Sequence, residues 1–171
     1  MLPSFLGGTT SNTVTSASTN MSQIFLYIMI VLGIVISIFA WTNIGNITTL
    51  PDTACKASKD KLTVLNTIIL MVGVAVAAAS AASLLCFIKC NLVGYSMARY
   101  AIMTGVLGLV MLVVSIMMLV AIGGDDSCSV STGAGSVNAV STVKTNAIIM
   151  LVMAIALTGG SGYIIYSSGG F

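Results

Sequence analysis

The side chains with the types and spacing to do chemistry are four cysteines, one serine framed by glycines and one pair of aspartates. Gly159-Gly160-Ser161-Gly162 has the form G-x-S-G, in which a glycine-flanked serine could serve as nucleophile. A serine nucleophile needs a base to take its proton, and the chain has neither histidine nor glutamate. Lys144 lies outside the apolar stretch that holds Ser161, so the three glycines read as a helix loosened or ended there. Cys86 and Cys90 in CFIKC stand at i, i+4 beside Lys89. That spacing puts two thiols on one helix face at a membrane edge, an arrangement suited to acylation or packing rather than to C-x-x-C redox work. Cys55 and Cys128 lie in two separate polar segments and could pair in an oxidising compartment. Asp125-Asp126 supplies too few oxygens for a divalent cation and reads as a solvated turn after Gly123-Gly124. No phosphate-cradling loop and no zinc spacing occurs. These residues assign no catalytic, cofactor or metal site and no small-molecule substrate, and they point away from an enzyme.

The elements that would position such residues are membrane spans. Of 171 residues, 57% are hydrophobic and 6% charged, where a soluble domain carries about a quarter charged. Apolar stretches run over residues 24–41, 62–88, 100–122 and 146–166. Crossing ~30 Å of hydrocarbon takes about 20 helical residues, so each is long enough or nearly so. The first holds twelve Ile, Leu, Val and Phe residues, which favour insertion by roughly 5 kcal/mol. No Lys or Arg precedes it, unlike the basic start of a signal peptide. The expected class is all-α: an integral, multi-pass membrane four-helix bundle. Its membrane domain covers 23–171, after an uncharged, flexible polar N-terminal segment at 1–22 and with a long third loop before the last span. The net charge of +2 is too small and scattered for a nucleic-acid partner. No repeat of useful period stands out, although both halves read span, long loop, span.

Lipid changes what holds helices together. Apolar side chains gain little by leaving the bilayer for each other, so close backbone approach through small residues must do the work. In the second span, Gly73, Ala77 and Ala81 form one stripe at i, i+4, and Ala75, Ala79 and Ser83 a second. Two smooth faces predict a central helix or the seam of a self-associated oligomer. Smaller echoes occur at Thr104/Gly108 and Ala154/Thr158/Gly162. Trp41, Tyr100, Tyr163 and Tyr166 fall where rings should meet headgroups.

Orientation signals conflict. Lys56, Lys59, Lys61 and Lys144 share the side of loops one and three, against Lys89 and Arg99 on the other, which hints that loops one and three are cytoplasmic. A Cys55–Cys128 bridge would point the opposite way. Asn46-Ile47-Thr48 matches a glycosylation acceptor but lies close to Trp41.

Resemblances to four groups of membrane proteins frame the reading. The G-x-S-G stretch resembles the nucleophile motif of rhomboid proteases but lacks their histidine. Span count and length are similar to vitamin K epoxide reductases and small membrane thiol oxidases, without their C-x-x-C. The long uncharged segments Leu2–Ser22 and Ser127–Thr142, with four spans and no Glu or His, resemble small multi-span proteins in the internal membrane of large icosahedral DNA viruses. That resemblance implies a minor-capsid-type scaffold in a virion membrane, whose partners are the lipid bilayer and other proteins of the assembly. An oligomeric channel subunit is the alternative, and a thiol oxidoreductase a more remote one.

Overall fold

The computed structural model describes residues 11–50, 55, 58–90, 97–124, 128 and 134–167. They form four helices: α1 (Ser11–Thr48), α2 (Lys59–Cys90), α3 (Met97–Gly123) and α4 (Ala134–Ser167). Lipid offers no partner to a free N–H or C=O, so each span must satisfy its backbone internally. α1 stops three residues short of Pro51, which has no N–H with which to continue a helix. Its end is tied off by Lys59, whose Nζ donates to the Leu50 carbonyl at 2.9 Å. The Cys55 carbonyl accepts the backbone N–H groups of Ser58 and Lys59 and so launches α2. Cys55 itself holds φ at 54°, a left-handed conformation that costs a non-glycine residue about 1–2 kcal/mol. α3 closes at Gly123, with Gly124 N donating to Val120 O at 2.9 Å.

α1 packs chiefly on α2 and α3 on α4, while α2–α3 and α1–α4 make smaller contacts. The result is an antiparallel ring of two hairpins. Its interior is filled by Ile36, Ile69, Val76, Met111, Met118, Met150 and Leu157, all buried. The outside is the reverse of a soluble protein. The apolar stretches Gln23–Thr48, Lys59–Cys86, Arg99–Gly123 and Val140–Tyr166 are each long enough to span a membrane, and in the apolar 18-residue core of each no more than 39% of the residues are buried within the bundle. Val31, Ile38, Met71, Val74, Met103, Val120 and Val152 all point outward. An apolar belt on all four helices exceeds anything a monomer tolerates in water. The chain is a multi-pass membrane protein.

The helices overrun the apolar stretches. α1 begins at Ser11, so the second half of the polar N-terminal segment joins the helix, while the apolar span still starts at Gln23. Residues 134–145, expected in the long third loop, form the first three turns of α4. Val143 accounts for this: it is buried in the core, and residues 134–143 contain neither Pro nor a charge to stop the helix. Loop three then shrinks to about the length of loop one.

Short sequence matches occur between the two hairpins. Val31-Leu32-Gly33 in α1 matches Val106-Leu107-Gly108 in α3, with the Val outward and the Gly inward in both. Asn66 in α2 and Asn146 in α4 each open an Asn-x-Ile-Ile run. The two matches have different offsets along the chain, so a search for one period passes over them.

Candidate functional site

The places where these helices do something specific are their crossings and their buried polar groups. At the α1–α2 crossing Gly33 faces Gly73 and Ala77. A methyl at Gly33 would lie 2.7 Å from Ala77 N and 2.8 Å from Gly73 O, so the two backbones are in direct contact. A methyl at Gly73 would meet Ser37 Oγ at 2.6 Å. Only hydrogen fits at either position, and dispersion between main chains replaces side-chain packing. The α3–α4 crossing repeats this with Gly108, whose methyl would lie 2.7 Å from Thr158 Oγ1 and 3.1 Å from Thr158 N.

The predicted stripes fare differently. Gly73 is buried and Ala77 and Ala81 are half-buried, and the stripe meets α1 through Gly73 and Ala77. In the second stripe Ala75 is exposed, Ala79 is half-buried against Leu26, Leu84 and Tyr100, and Ser83 is buried. It is therefore not one smooth face. Each i, i+4 step turns about 40° around a helix of 3.6 residues per turn, which carries the row from lipid into the interior. Outside the α1–α2 seam lies a shallow groove bounded by Ile34, Ile38, Trp41, Leu70, Val74 and Ala78, apolar apart from Ser37.

Two polar layers cross the interior. Toward loops one and three, Asn43 Nδ2 donates to Asn66 Oδ1 at 2.9 Å, and Asn146 Nδ2 donates to Asn43 Oδ1 at 3.3 Å. Asn66 Nδ2 in turn donates to Leu62 O. The three amides join α1, α2 and α4, and all are buried. Toward loop two, Ser80 Oγ and Tyr100 OH pair across α2 and α3, and Thr104 Oγ1 and Ser161 Oγ pair across α3 and α4 at 3.0 Å. Among the described residues, Ser115 Oγ is buried without a partner.

These layers reassign several residues. Ser161, the candidate nucleophile, is 1% exposed and also donates to Leu157 O, so its hydroxyl joins helices inside a helix that continues to Ser167. Tyr100 is no headgroup anchor: it is 3% exposed, and its ring meets Phe25 edge-on at 6.3 Å. Tyr163, Tyr166 and Trp41 do face outward. The Asn46 acceptor sits inside α1. Asn43 and Asn146 carry no signal of this role in the sequence, because the network exists only once three helices meet.

Cys55 and Cys128 are joined by a disulfide across 73 residues, buried within the core beside Leu50, Leu62 and Ile122. Beside it the Ser58 hydroxyl donates to Ala121 O at 3.2 Å, tying the start of α2 to the end of α3. Cys86 is a free, half-buried thiol near the other end of α2. The surroundings of Cys90 and all of Asp125-Asp126 lie outside the described residues. From Lys59, beside the bridge, to Cys86 is about 40 Å at ~1.5 Å per residue, so the thiol and the bridge cannot exchange within one molecule. Among the described residues no cluster of His, Cys, Asp or Glu could hold a metal ion. The chain matches no family model, and no curated protein and no solved structure is significantly similar to it.

Proposed function

We propose that this is a structural, non-enzymatic membrane protein that anchors or scaffolds a larger assembly. The observation that carries the reading is what the intramembrane polar groups do. Asn43, Asn66, Asn146, Ser80, Tyr100, Thr104 and Ser161 bond one another across helices and are buried within the bundle. A catalytic or transport centre keeps some polar groups open to substrate; these are spent on holding the bundle. In this reading the helices anchor, and residues 1–22 and the loops meet neighbouring proteins. The resemblance to internal-membrane proteins of large icosahedral DNA viruses makes a capsid shell over a virion membrane the first assembly to test. Crosslinking from residues 1–22 in the native membrane should recover a shell or scaffold protein. Recovery of self-crosslinks alone would favour an oligomeric pore, and steady conductance in planar bilayers would establish it. Turnover of thiol or quinone substrates by the purified protein would remove the non-enzymatic reading.

A further inference from the structure

The bundle has two unlike ends, and their difference bears on which compartment each one faces. At the loop-one/loop-three end the two hairpins are covalently joined through Cys55 and Cys128, with both sulfurs buried in the core. At the opposite end the helices meet through Leu26, Leu84 and Tyr100 and the Ser80–Tyr100 contact, and the thiol of Cys86 is unbonded.

We propose that loops one and three lie in an oxidising, non-cytosolic compartment, and that loop two and the chain before α1 and after α4 lie on the cytosolic side. The proposal goes beyond the anchoring role and does not depend on it. Closing the bridge breaks two S–H bonds and forms one S–S bond, with both electrons and both protons passing to a disulfide-bearing oxidant by thiol exchange. Cytosolic thiol systems keep such pairs reduced, while secretory and periplasmic compartments maintain them oxidised. At Cys55 a left-handed backbone, unusual for a residue with a Cβ, directs the carbonyl to the start of α2 while the sulfur meets Cys128.

The lysine count opposes this, four on the bridged side against two basic residues on the other. Of those four, Lys59 is engaged as the cap on the Leu50 carbonyl. The surplus is two charges, and cation bias acts during insertion, whereas a bridge records where the loops reside afterwards. The assignment places the partner of residues 1–22 in the cytosol.

The native lysines supply the test. The full-length chain is inserted into sealed microsomes, whose outer face is cytosolic, and treated with a membrane-impermeant sulfonated amine reagent before peptide mapping. Lys89 should be modified in sealed vesicles, and so should the amine introduced beside loop two by the Arg99→Lys variant. Lys61 and Lys144, both exposed on the bridged side, should react only after detergent. In-situ alkylation followed by non-reducing mapping should recover the linked Cys55–Cys128 peptide. Modification of Lys61 or Lys144 in sealed vesicles, alone or together with Lys89, would overturn the orientation. Two alkylated thiols would overturn the bridge on which it stands.

Discussion

Gly33 sits against main-chain atoms of α2 with no room for one carbon. A methyl group there must push Ala77 N and Gly73 O aside, and backbone gives way only if the helices separate. Gly33→Ala should therefore cost about 1–3 kcal/mol, as overpacking does elsewhere. Gly45→Ala, on the same helix with nothing within 4 Å, should be neutral or stabilising by up to about 1 kcal/mol. Equal unfolding midpoints for the two variants in detergent would refute direct backbone contact. Asn43 is the hub of the amide network, donating to Asn66 and accepting from Asn146. Interhelical hydrogen bonds in membranes average about 0.6 kcal/mol, so Asn43→Leu should cost about 1 kcal/mol and Asn146→Leu about half that. A loss at Asn146 as large as at Asn43 would show that the two bonds do not share a hub. The sequence displays each of these residues but not their partners: a glycine in a span becomes a contact only when a second helix presents its own.

Helix α2 shows how far a pattern along one element can be read. The presence of four spans is legible because lipid demands long uncharged runs, and each such run became a helix. The ends are less legible, since polar stretches without proline extend a helix at little cost: Ser11–Ser22 and 134–145 joined α1 and α4 despite their Ser and Thr content. The small-residue stripes were legible as pattern but not as role. Gly73 and Ala77 lie in the α1 seam, whereas the row through Ala75 starts in lipid. Ala77→Leu with Ala81→Leu should thus separate α1 from α2 and weaken helix association in detergent, because the added bulk enters the crossing. Ala75→Leu should leave association unchanged in the monomer, its side chain facing outward. Should Ala75→Leu prove the more damaging, that face is covered by another copy, and the self-association expected of a smooth helix would regain support.

At the scale of the molecule, the bundle is two hairpins whose internal contacts exceed those between them, so their mutual hold depends on few features. The Asn146–Asn43, Ser80–Tyr100 and Ser58–Ala121 contacts each add one hydrogen bond between the hairpins; the Cys55–Cys128 bridge acts through chain entropy. Closing a loop of 73 residues would stabilise a freely unfolding chain by roughly 4 kcal/mol. Spans that stay inserted when packing is lost have less freedom to surrender, which makes that figure an upper bound and about 2 kcal/mol the expected effect. Cys55→Ser with Cys128→Ser should lower the unfolding midpoint accordingly, followed by the fluorescence of Trp41, the single tryptophan. Adding reductant to the unaltered protein should reproduce the loss once partial unfolding exposes the buried bridge, and the double variant should ignore reductant altogether. An equal response of both proteins would place the redox sensitivity at Cys86 or Cys90. The hairpins would then be held together by packing and hydrogen bonds alone.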